Sequence, residues 1–153
     1  MIIEERSSRT ERVIEAGRNM LTAARTAPKA KGLDNLECCL LTGEDIQRLS
    51  DVMVELFNET GRPVYQRDAA NILKAECVLT CAEKPAQAPC AYCATDIGIA
   101  LGSAVATAAD HRVDTRVMFS AGMAAERMNL LPDCSQYFAV PVSASSKSPF
   151  FDR

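Results

Sequence analysis

The chain has 153 residues, of which 48% are hydrophobic and 24% charged, with a formal net charge of −3. That length suits one domain burying a core without staples, and the balance is that of a folded protein rather than a disordered one. A slightly acidic chain with scattered basic residues has no electrostatic ground for binding nucleic acid or an anionic membrane.

Ser8-Arg9-Thr10-Glu11 reads as a capping box that opens a helix running through about Arg25, with Val13, Gly17, Met20, Leu21 and Ala24 on one face. Ala27 to Gly32 is a loop by its Pro and Gly content. Leu36 to Leu41 reads as a buried strand, and Thr42-Gly43-Glu44-Asp45 as the start of a capped helix. Ile46, Leu49, Met53, Leu56 and Phe57 form that helix's apolar stripe, which Gly61 and Pro63 terminate. A third helix begins near Pro63 and turns Tyr65, Ala69, Ile72 and Leu73 inward. Cys77 to Thr80 reads as a second strand entering a loop rich in cysteine, proline and alanine.

From Thr95 to Ala109 the chain is apolar on nearly every side, which predicts a centrally buried helix. Gly98, Gly102 and Ala106 give it a smooth face that another backbone or a flat ligand can approach. Asp110 to Arg116 is a charged loop, Ala121 to Met128 a short helix, and Tyr137 to Val142 a last strand. Pro141 in that strand has no N–H to donate, which favours an edge or a strand end. Phe150 and Phe151 in the tail are expected to dock on the body or on a partner subunit.

The first six residues carry charge where a signal peptide needs an apolar core, so secretion is not expected, and Ile97 to Ala109 is too short to span a bilayer. With seven cysteines, an odd number, the chain reads as a cytoplasmic protein with reduced thiols. Four of them are spaced Cys77-x3-Cys81-x8-Cys90-x2-Cys93. Clustered thiolates are a natural ligand set for zinc or an iron–sulfur centre, provided that the sulfurs converge, about 2.3 Å from the ion if zinc. The competing reading makes Cys77 a core residue and Cys81 and Cys93 incidental. A third treats Cys90 and Cys93 as a redox pair at a helix N-terminus. Cys38 and Cys39, adjacent on a strand, point to opposite faces and read as core packing, and Cys134 as incidental. His111, the single histidine, suits a helix end better than a general base. Arg25, Lys29, Lys31 and Lys147 form either an anion pocket or a solvated basic patch.

Several segments together resemble one family. Ala23 to Asn35, Asp96-Ile97-Gly98-Ile99-Ala100-Leu101-Gly102-Ser103-Ala104, Val113 to Met118 and the tail from Ser145 to Arg153 are similar to an uncharacterised bacterial and archaeal family described as containing a ferredoxin domain. The resemblance places Cys90 at that family's last ligand position before the central helix, whereas its Cys-Gly-x-Cys-Gly run is absent here. A more distant resemblance, to FMN-dependent nitroreductases, lies in the order of elements, in Ala27-Pro28-Lys29 with Asn35, and in Lys147 of the tail. Arg6-Ser7-Ser8-Arg9 faintly echoes their basic opening. It implies FMN contacts from Lys29, Asn35 and Lys147.

The expectation is an α+β fold, a small mostly antiparallel sheet of three or four strands under four or five helices, nitroreductase-like and homodimeric. Its metal ligands would be Cys77, Cys81, Cys90 and Cys93, for an iron–sulfur centre or zinc. The alternatives are an FMN oxidoreductase or a dimeric scaffold whose cofactor site has decayed.

Overall fold

The computed structural model describes residues 1–85 and 92–151. Helix α1 (Glu5–Thr26) leads through a 3-10 turn (Ala30–Gly32) into β1 (Leu36–Thr42). There follow α2 (Glu44–Thr60), α3 (Pro63–Ile72), β2 (Cys77–Glu83), α4 (Cys93–Asp110), β3 (Asp114–Thr115), α5 (Phe119–Arg127) and β4 (Ser135–Ser143). The strands pair antiparallel in one sheet, ordered β1-β2-β4-β3. The α+β expectation holds, with five α-helices and four strands among the described residues.

Every residue of β2 is buried, because the strand has neighbours on both edges and helices on both faces. Its side chains alternate between two cores, as the period of a strand requires. Cys77, Leu79 and Cys81 join Val13, Met20 and Ala24 of α1 and Ile97, Ala100 and Ala104 of α4. Val78 and Ala82 face the opposite way, into a core with Leu49 and Met53 of α2, Tyr65 and Ile72 of α3, and Ala121 and Ala125 of α5. The sheet is thus the middle of three layers.

Two glycines let these layers close. A Cβ on Gly17 would stand 2.8 Å from the sulfur of Cys77 and 3.0 Å from Leu40, so α1 reaches the sheet only because that carbon is missing. A Cβ on Gly122 would overlap the carbonyl of Tyr137, which seats α5 directly on the β4 backbone.

The local signals are right in kind and shifted in place. The first helix starts at Glu5 rather than at the capping box, and the Ser8 hydroxyl instead donates to the carbonyl of Glu4 at 2.9 Å. An i,i+4 ion pair between Glu5 and Arg9, at 2.6 Å, supports that extra turn. Helix α2 ends as expected, with Gly61 at φ +66° donating its N–H to the Phe57 carbonyl. Leu73, expected inward, is exposed at the end of α3. The second strand runs on through Glu83, so Cys81 belongs to it and not to a loop.

Helix α4 is not buried on all sides. Ile97, Ala100, Leu101, Ala104 and Ala108 pack inward, whereas Gly98, Ile99, Gly102 and Ala106 face outward. Pro141 lies in a strand with neighbours on both sides, but its missing N–H is harmless. Ala139 exchanges both backbone bonds with Met118, so Pro141, two residues on, points to the same side, between Met118 and Thr115, where no partner is registered. The tail docks on the body of its own chain. Phe150 is fully buried in the α2/α3/α5 core, and Arg116 donates to its carbonyl at 2.7 Å.

Candidate functional site

Chemistry-bearing side chains gather at the two ends of the sheet. At one end, where β1 starts and β2 finishes, Arg25 donates to both carboxylate oxygens of Asp34 at 2.9 Å and to the Leu36 carbonyl at 2.6 Å. This ties the end of α1 to the start of β1. Asp96, in the first turn of α4, accepts the Ala30 N–H at 3.0 and 3.1 Å and so holds the 3-10 turn against that helix. The Asn35 carbonyl accepts from the Lys84 N–H at 2.9 Å.

Within this frame Cys38 of β1 stands opposite Cys81 of β2, and the two sulfurs share a hydrogen bond at 2.7 Å. Cys38 is half-buried and Cys81 fully buried. The hydrogen bond to Cys81 lowers the Cys38 thiol from its usual range, and the positive charges of Arg25 and Lys29 add to that effect. The same contact, with burial, pushes Cys81 strongly up. Once Cys38 ionises, the remaining proton stays on Cys81. Burial raises the carboxyl of Glu83, at the end of β2, and Asp96 raises it further.

The expected ligand quartet does not assemble among the described residues. Cys77 and Cys81 lie four apart on one strand, about 13 Å from each other, too far to share one ion or cluster. Cys77 instead packs under α1, with its thiol pushed up to about 12 by burial and the nearby Glu76. Cys93 opens α4 and Cys90 lies outside the described residues. No group of three His, Cys, Asp or Glu side chains placed to hold a metal ion occurs among the described residues. As expected, Cys39 turns away from Cys38, toward the other core, and burial pushes it up to about 11.

At the opposite end of the sheet, the tail folds over a cavity of about 570 Å³. Arg9, Lys74 and Lys147 line it beside Glu76, Ser145 and Ser148. Arg9 is paired with Glu5, whereas neither Lys74 nor Lys147 has an ion pair among the described residues. One carboxylate oxygen of Glu76, Oε2, is buried without a hydrogen-bond partner among the described residues.

The three residues expected at a cofactor are therefore divided. Lys147 lines the tail cavity, while Lys29 and Asn35 lie at the far end of β2, about 20 Å along the strand. The Lys29 ammonium donates to the carbonyls of Ala24, Arg25 and Ala27 at 2.9, 2.5 and 2.8 Å. All three of its N–H groups are thus engaged in capping the end of α1. Sequence reasoning missed the juxtaposition of Cys38 with Cys81 and the contribution of Lys74 and Glu76 to the cavity. A faint signal existed only for Arg9, in the basic opening.

The profile of a family described as "Uncharacterized protein containing a ferredoxin domain" matches residues 86–153. An uncharacterised protein of Archaeoglobus fulgidus is 34% identical, in an alignment spanning 100% of this chain and 98% of the relative. The chain belongs to this ferredoxin-domain family. Its fold is similar to that of solved nitroreductases. A nitroreductase with bound FMN from Bacteroides fragilis matches with a TM-score of 0.71, over 86% of this chain and 77% of that one, at 12% identity. Another with bound FMN, from Desulfitobacterium hafniense, gives 0.67 over 95% and 92% at 14% identity. Identities this low establish shared architecture alone. The ferredoxin-domain chain thus has the nitroreductase-like fold its segments implied. Among the described residues no helix is long and apolar enough to cross a membrane.

Proposed function

We propose that this ferredoxin-domain protein is a redox protein that binds FMN between two copies of the chain. The observation carrying this reading is the tail cavity, where two lysines with no ion pair among the described residues stand beside serine hydroxyls in a fold shared with FMN-holding proteins. Phosphate is recognised by such clustered cations and hydroxyls. Glu76 fits the same ligand, since its unpartnered oxygen can accept from a hydroxyl of the ribityl chain. Lys147, Lys74 and Arg9 hold the phosphate, and FMN supplies the capacity to take up and pass on electrons.

A second copy of the chain is part of the reading. Asn35 and Lys147 of one chain are too far apart to grip a phosphate together, so the loop at Asn35 comes from the other copy. The outward face of α4 supports this pairing, because Gly98, Gly102 and Ala106 leave it flat and Ile99 is 41% exposed there. Lys29 acts indirectly, by fixing the end of α1 from which the loop departs.

An iron–sulfur centre has the family description in its favour and zinc has only the cysteine spacing, but the described cysteines do not converge on either. Absorption spectra and metal analysis of anaerobically purified protein separate the two readings. Flavin bands, or tight uptake of added FMN by a dimer in sedimentation, support the proposal. A broad iron–sulfur shoulder with bound iron, or a monomer with no flavin affinity, overturns it. Lys147→Ala should weaken FMN about tenfold, the loss of one charge-assisted hydrogen bond, while leaving riboflavin, which has no phosphate, unaffected.

A further inference from the structure

Cys38 and Cys81 are separated by 43 positions in the chain and face one another in register across the β1–β2 pair. Directly opposed residues of an antiparallel pair have Cα atoms about 4.5 or 5.5 Å apart, according to the hydrogen-bond pattern. Both distances fall within the span that a disulfide bridges, so the bond can form without moving the strands. Their sulfurs, at 2.7 Å, are closer than two ligands of one zinc ion sit. Tetrahedral geometry with bonds of about 2.3 Å would hold them nearly 4 Å apart. The arrangement suits sulfur–sulfur bonding better than ligation.

The two thiols differ in access. Cys38 lies on the first strand of the sheet order, which has a neighbour on one side only, and keeps partial exposure. Cys81 is enclosed in the central strand under α1 and α4. Arg25 and Lys29 place positive charge near Cys38, and the carboxylate of Glu37 opposes it. This is the division of labour between an attacking and a resolving thiol.

We propose that Cys38 and Cys81 form a reversible cross-strand disulfide by exchange with low-molecular-weight disulfides, with Cys38 as the entry point. The Cys38 thiolate attacks one sulfur of a disulfide such as oxidised glutathione. That S–S bond breaks, and the departing thiolate takes up the proton that Cys38 released. Cys81 then loses its proton and attacks the Cys38 sulfur, which expels the second small thiolate, protonated in turn. The protein has given up two electrons and two protons, and the small disulfide has received both. The step needs no flavin and stands whether or not FMN binds.

The test uses the full chain, reduced, freed of reductant and exposed to oxidised glutathione, followed by intact mass and peptide mapping without reduction. The expected result is a loss of two hydrogens and a single cross-link joining the Cys38 and Cys81 peptides, reversed by dithiothreitol. Cys81→Ser should retain one glutathione on Cys38, whereas Cys38→Ser should leave Cys81 unmodified. Wild-type protein that stays a dithiol under these conditions, or that links Cys38 to Cys93 or Cys90, overturns the proposal. So does metal bound to reduced protein and lost in both variants. Because the wild-type map alone decides the first point, a variant that misfolds does not shelter the idea.

Discussion

The hydroxyl of Ser120 donates to the carboxylate of Asp68 at 2.5 Å, inside the contact between α5 and α3. Asp68 is 2% exposed, and its other oxygen accepts from Arg67 at 2.8 Å. This buried carboxylate joins two helices that cover the same face of the sheet. Asp68→Ala leaves the Ser120 hydroxyl enclosed without its acceptor and should lower stability by about 3 kcal/mol. Ser120→Ala removes one of two bonds and should lower it by about 1 kcal/mol. Urea unfolding of both variants measures the difference, and equal losses would refute the assignment of the carboxylate as the joint.

Gly122 and Gly98 offer a paired comparison. An alanine at 122 drives its methyl into the Tyr137 carbonyl, forcing α5 off β4 at about 2–3 kcal/mol. Gly98 has nothing within 4 Å of an added Cβ, so Gly98→Ala should gain up to about 1 kcal/mol from helix propensity. Unfolding at low protein concentration reads both effects within one chain. Opposite signs are expected, and a harmless Gly122→Ala would contradict the packing described.

Burial holds the thiols of Cys39 and Cys77 at about 11 and about 12. At pH 8 both should resist iodoacetamide in the folded protein, while Cys38 is alkylated. In urea all of them should react. Peptide mapping after timed labelling checks this ordering, which fails if Cys77 is modified as fast as Cys38.

Glu83 carries a pH signature. Its folded carboxyl is raised above 4.5 by burial, with Asp96 adding to the shift. A raised acid binds its proton more tightly when folded, so its contribution to stability is complete below pH 4.5. That contribution is lost as the pH climbs through the folded value. Glu83→Gln should therefore raise the melting temperature at pH 7 relative to the native chain, and the gain should vanish below pH 4.5. A gain that instead grows in acid would reverse the sign and exclude this account.

Much of the architecture was legible from periodicity. The stripe Ile46, Leu49, Met53 and Leu56 packs as its spacing predicts, and Gly61 stops α2 where a left-handed residue is required. The displaced boundaries have local causes. The Glu5–Arg9 pair extends α1 beyond its capping signal, and β3, at two residues, is too short to leave a pattern. The outward face of α4 could not be told from its inward face, because alanine and isoleucine occupy both sides.

The candidate site was legible only in part. The resemblance points to Lys147, which lines a basic cavity, and to Lys29, which closes a helix end. Spacing in the sequence groups Cys77 with Cys81, which a strand holds about 13 Å apart. The thiols that meet were Cys38 and Cys81.

The order of residues by itself determined the elements, since side-chain period, glycine and proline act over a few neighbours. Only the tertiary structure decided which cysteines, lysines and carboxylates meet. Those meetings depend on strand register and helix seating, which are set by the burial of whole faces and leave no trace in local spacing.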